Sequence, residues 1–86
     1  MLEGVKLEFA GYLFREFTWE LEQHPELVTD LRGVSLKEVE FLEFAGYDRL
    51  DLRFRGRIYR LHLTWQQNVP PRIERIHNEA QRQKLP

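Results

Sequence analysis

Arg49, Arg53, Arg55, Arg57, Arg60 and His62 crowd into one stretch of the chain, YDRLDLRFRGRIYRLHLTW, residues 47–65. Arginine forks bind phosphate oxygens bidentately, and a histidine among them can move a proton near neutral pH. Carried together on a sheet, with Tyr47 or Tyr59 free to stack on a base, this set suits RNA binding or RNA cleavage. The plainer reading is that arginines on the solvated face of an antiparallel sheet keep it soluble, with Asp51 already opposite one of them. Nothing else in the chain suggests catalysis. There is no GxGxxG, no phosphate loop ending in Lys-Ser/Thr, no GxSxG and no HExxH. His24, His62 and His77 lack short ligand spacing, and there is no cysteine, so neither a metal nor any other cofactor is expected.

The arginines need a frame, and period-2 alternation on both sides of Arg55-Gly56 supplies one. Leu50, Leu52 and Phe54 point one way, against Arg49, Asp51 and Arg53. In the second run Tyr59, Leu61, Leu63 and Trp65 oppose Ile58, Arg60, His62 and Thr64. A two-residue loop at Arg55-Gly56 then pairs Arg53 with Ile58, Leu52 with Tyr59, Asp51 with Arg60, Leu50 with Leu61 and Arg49 with His62. A slip of one residue would mix the faces, so this register is the expected one.

The rest of the chain must cover the greasy side of that hairpin. Residues 4–10 alternate Val5, Leu7 and Phe9 against Lys6 and Glu8, which predicts a strand ended by Gly11. Over 12–23 the spacing turns helical, with Leu13, Phe17 and Leu21 in one stripe beside Phe14. Pro25 opens a short helix over 26–32, closed by Gly33. The next segment pulls two ways. Ser35 and Glu38 form a capping-box pattern, whereas Val39 and Phe41 alternate with glutamates.

An internal repeat breaks the tie. LEFAGY occurs at 7–12 and again at 42–47. If both copies share one local structure, each is a strand end running into a glycine turn, so 38–45 is predicted as a strand. Pro70 and Pro71 follow the hairpin, and 72–84 is predicted as a helix with a thin apolar face of Ile73, Ile76 and Ala80. The expectation is one α+β domain over 1–86. It has a small antiparallel sheet of three to four strands, in the order β-α-α-β-β-β-α, with helices packed on one face.

The element order, and YDRLDLRFRGRIYRLHLTW followed by a short basic helix, resembles the compact RelE/ParE-type toxins. The resemblance implies ribosome-dependent RNA cleavage or gyrase inhibition, held in check by a small antitoxin. Tyr59-Arg60 is similar to that family's Tyr-Arg strand position, while Gln66-Gln67 stand where its catalytic members place lysines.

Composition points elsewhere. With 42% hydrophobic and 31% charged residues the chain is well above the disordered regime, and its net charge is −1. That small figure hides a split: residues 1–46 carry four Lys/Arg and ten Asp/Glu, residues 47–86 nine and four. Such polarity can steer association. Trp19 lies off the apolar stripe, on the side of Tyr12, Arg15 and Glu22, with Glu16 and Glu20 near by. An exposed helical Trp is a frequent interface anchor.

The leading expectation is therefore a small non-catalytic regulatory module, inhibitor-like or adaptor-like. It would meet a protein partner through Trp19, Tyr12, Arg15, Glu16, Glu20 and Glu22. A nucleic-acid face at the arginines and a self-assembling subunit paired through strand 4–10 or 38–45 are the alternatives. No leader-like or membrane-spanning stretch is read, so the expected location is the cytoplasm.

Overall fold

The computed structural model describes residues 3–64, 66, 69–78 and 80. Among these residues one long helix, α1 (Gly4–Gln23), is followed by a 3₁₀ turn at Leu36–Glu38 and four strands. The strands are β1 (Glu40–Ala45), β2 (Arg49–Phe54), β3 (Arg57–His62) and β4 (Arg72–Ile76). They form an antiparallel meander in the order β1-β2-β3-β4. The class is α+β with a small antiparallel sheet, as the sequence predicts, but the order of elements is not the predicted one.

The β2–β3 hairpin has the expected register at every predicted pair, from Arg53 opposite Ile58 to Arg49 opposite His62. Arg55 (φ 52°) and Gly56 (φ 74°) both take the left-handed conformation. Positive φ at both central residues is the geometry of a type I′ turn, whose twist matches that of the strands it joins.

Residues 4–10 are helical rather than extended. The i+4 ladder of Leu13, Phe17 and Leu21 begins one turn earlier, at Phe9, and Ala10 starts a parallel row with Phe14. Burial along those rows outweighs the alternation of Val5 and Leu7, which stay 82% and 47% exposed. Gly11 does not break the helix. It is buried where α1 passes Leu36.

The predicted helix over 26–32 does not form: turns at 25–26 and 30–33 flank an irregular stretch over 27–29. The fully buried Leu31 plugs the core, and Arg32 donates to the carbonyls of Leu21, His24 and Leu27. The Leu21 and His24 carbonyls also accept the backbone N–H groups of His24 and Leu27, so Arg32 supplements the end of α1, whose last turn has no basic residue. Ser35 and Glu38 do build a capping box, with Glu38 accepting the Ser35 backbone N–H at 3.0 Å. It starts only the 3₁₀ turn before β1 takes over.

Over the described start of the predicted 72–84 helix the chain is instead β4, and the remainder lies largely outside the described residues. The free edge of β3 decides this. Pairing there sets Glu74 opposite Arg60 and Ile76 opposite Ile58, contacts that helix propensity cannot offer.

The core lies between α1 and one face of the sheet. Ala10, Leu13, Phe14, Phe17 and Leu21 meet Phe41, Leu50, Leu52, Phe54, Tyr59, Leu61 and Leu63. The rings of Phe14 and Phe41 sit 5.9 Å apart, edge to face.

The two copies of LEFAGY therefore have different structures, helix in the first and strand-plus-turn in the second. They still meet: Phe9 packs 5.2 Å from Phe44 and 5.8 Å from Tyr47. The same substitution should act oppositely in each. At Gly11 a Cβ would find ordinary contacts at 3.7 and 3.8 Å inside a helix. Gly11→Ala should stabilise by about 0.5–1 kcal/mol. Gly46 has φ +62° and Asp48 Oδ1 3.2 Å from its would-be Cβ, so Gly46→Ala should cost about 1–2 kcal/mol. Urea titration of both variants checks the pair of signs.

Candidate functional site

Two surfaces hold the residues singled out in the sequence: the sheet face turned away from α1, and the outer side of α1. Alternation puts Arg49, Asp51 and Arg53 of β2 and Ile58, Arg60 and His62 of β3 on the first. Pairing adds Glu40 and Glu43 from β1 and Arg72, Glu74 and Ile76 from β4. The outcome is four arginines against four carboxylates. Arg53 bonds Glu40 at 2.8 Å, Arg49 lies 3.6 Å from Glu43, and His62 Nε2 lies 3.2 Å from Glu74. The face expected to be basic is close to neutral.

At its centre Arg60 grips Asp51 with two bonds, 2.9 Å from Nε to Oδ1 and 3.1 Å from Nη2 to Oδ2. Both side chains are buried, at 4% and 1% exposure. The sequence placed this pair correctly across the strands and wrongly in solvent. Arg60 therefore serves the fold, held by a partner it would have to release to meet a phosphate.

The two loop arginines diverge. Arg55 stacks on Phe54, 4.9 Å from the ring centre. Arg57 donates to Asp30 at 3.1 Å, and the Tyr59 hydroxyl donates to the same carboxylate at 3.0 Å. Tyr59, with Asp30 adding its charge, raises Arg57 above its ordinary value. Tyr59 itself is buried and has no free face for a base. Asp30 was not foreseen, because a single acid in a loop gives no spacing signal.

The outer side of α1 is built differently. Residues seven apart on a helix differ by only about 20° in direction. Val5, Tyr12 and Trp19 therefore stand in one line, and they are 82%, 44% and 54% exposed. Glu8, Arg15 and Glu22 form a second exposed line one step to the side. Glu16 and Glu20 flank the ridge on its other side and are half-buried, with Glu20 3.8 Å from His24. The structure thus brings Trp19, Tyr12, Arg15, Glu16, Glu20 and Glu22 onto one helix surface.

Val5 and Glu8 were missed because 4–10 reads as a strand. The seven-residue spacing of Val5, Tyr12 and Trp19 was the signal that could have found them. Phe9 and Tyr47 widen the aromatic area beside Tyr12. Beyond the Glu8 and Arg15 line an open groove of about 840 Å³ separates α1 from β1, lined mainly by Leu7, Gly11, Leu36, Val39 and Phe41.

Among the described residues, no cluster of three or more His, Asp or Glu side chains could hold a metal ion. None of the helices there is long and apolar enough to cross a membrane. Compared with models of known families, with curated proteins and with solved structures, the chain matches none.

The buried pair gives a stability prediction. Asp51→Ala should destabilise by about 3–5 kcal/mol, since it removes the carboxylate that holds the buried Arg60 guanidinium with two bonds. The double variant Asp51→Leu with Arg60→Met should recover most of that loss, because buried ion pairs gain little over apolar pairs of similar volume. Chemical denaturation of the two variants beside wild type reads both effects.

Proposed function

We propose that this chain is a small non-catalytic module that acts by binding protein through the outer side of α1. Trp19 and Tyr12 anchor the contact, and Arg15, Glu16, Glu20 and Glu22 form its charged surround. The observation that carries the reading is the line of Val5, Tyr12 and Trp19. A helix whose opposite stripe already fills the core still exposes three large apolar side chains along one line. Exposed apolar area rimmed by charge marks interaction sites, and Trp and Tyr dominate their energetics.

Phosphate recognition draws less support, since the sheet arginines face carboxylates from neighbouring strands. Strand pairing through β1 is also weakly supported. That edge carries Glu40 and Glu43 and a register shift between Phe41 and Glu43, devices that discourage edge-to-edge association. The cytoplasm is the proposed compartment.

A photo-crosslinking residue at position 19 or 53, introduced in the native cell, separates these readings. The proposal expects protein adducts from 19 and few from 53. Adducts from 53 alone, or RNA adducts there, would overturn it. Trp19→Ala should weaken the contact by about 2 kcal/mol or more while changing folding stability by less than about 0.5 kcal/mol, as an exposed side chain should. Titration calorimetry of the captured complex and thermal melting of the free variant measure the two numbers.

A further inference from the structure

We infer that the protein bound by the outer side of α1 is a second copy of this chain, its α1 packed antiparallel about a two-fold axis at Tyr12; this rests on the binding reading above. Three complementarities carry it.

The first is size. With Tyr12 on the axis, Trp19 lies over the partner's Val5 and Tyr12 over the partner's Tyr12, so the largest side chain of the ridge meets the smallest. A parallel pair would set Trp against Trp at one end and Val against Val at the other. The seven-residue spacing is that of a left-handed helix pair, so the ridge stays in contact along α1.

The second is charge. On the side line, Arg15 falls beside the partner's Glu8, and symmetry repeats the contact as Glu8 beside the partner's Arg15. Both residues are exposed, and among the described residues neither forms an ion pair within one chain. Their separation of seven residues, opposite in sign about the axis, is what an antiparallel self-pair requires.

The third concerns the helix ends. The N-cap residue of α1, Glu3, makes no side-chain cap bond, and the first turn holds no acid. In the antiparallel pair Glu20 and Glu22 come to lie at the start of the partner's α1, where unsatisfied N–H groups and the helix dipole favour negative charge. The acidic end of one helix thus completes the uncapped end of the other.

A charge-swap complementation test examines this arrangement, with mass read by light scattering after size exclusion at low salt. Wild type should run as a dimer at tens of micromolar. Glu8→Arg and Arg15→Glu should each weaken self-association about tenfold or more, because each sets like charges together at both symmetric positions. Mixing the two variants should restore the dimer, since a mixed pair has opposite charges at both contacts. Unchanged circular dichroism, and a melting temperature equal to that of wild type when all are diluted below the range of self-association, verify that both variants fold.

A wild-type monomer at several hundred micromolar overturns the inference. So does a dimer indifferent to both swaps, or variants that fail to rescue each other. If self-association is absent while position 19 still crosslinks to another protein, the second copy is the wrong partner and the binding surface stands. If position 19 captures nothing, the surface itself is wrong.

Discussion

Among the described residues one long helix covers one face of a four-stranded sheet, and most of the structure follows from how α1 does so. Its inner stripe of Ala10, Leu13, Phe14, Phe17 and Leu21 is buried against Leu50, Leu52, Phe54, Tyr59 and Leu61. Twenty helical residues span about 30 Å, enough to cross the sheet. Leu31 and the partly buried Leu27, Val34 and Leu36 fill in from the connection that follows. Because that stripe uses only part of the circumference, the rest of the helix is released from folding. What is found there is not a uniformly polar surface, and this is why it invites a functional reading.

The sheet's second face shows the opposite economy. Its cations are answered by carboxylates on adjacent strands, and its central pair is buried. Buried ion pairs are weak evidence for stability, but they penalise any register that separates the partners. Asp51 and Arg60 match in only one alignment of β2 with β3. The pair therefore reinforces the register that the apolar side chains on the opposite face also require. The charge split between the two halves of the chain is partly spent in this way, with Glu40, Glu43 and Asp30 of the acidic half meeting Arg53, Arg49 and Arg57 of the basic half.

The β2–β3 register was legible in the sequence because two independent signals agree there, alternation on both strands and a glycine at the turn. Where signals conflicted, tertiary contacts decided. The segment GVKLEFA alternates like a strand, yet Phe9 and Ala10 extend the helical ladders of Leu13 and Phe14, and those ladders have a sheet to pack on. The repeat LEFAGY misled for the same reason. Six residues hold too little local preference to fix a conformation, and Gly11 and Gly46 accept either one. The segment RIERI likewise became β4 because β3 had an edge to fill. In the candidate site, Trp19 and Tyr12 were readable from their position off the core stripe. Val5 and Glu8 became part of the surface only once the helix was seen to begin at Gly4. The Asp51–Arg60 contact was readable, whereas its burial depended on packing that alternation cannot express.

On this account α1 has two working sides, one that folds the chain and one that pairs it with a second copy. The chain has no cysteine, so a spin label attached to a single introduced cysteine reports one position cleanly. Dipolar distances between labels at position 16 and, separately, at position 23 test the arrangement most directly. An antiparallel pair centred on Tyr12 predicts about 15 Å at 16 and about 35 Å at 23, from a rise of about 1.5 Å per residue. Short distances at both positions would mean a parallel pair, and no dipolar coupling in a concentrated sample would mean no pair; either would contradict the account.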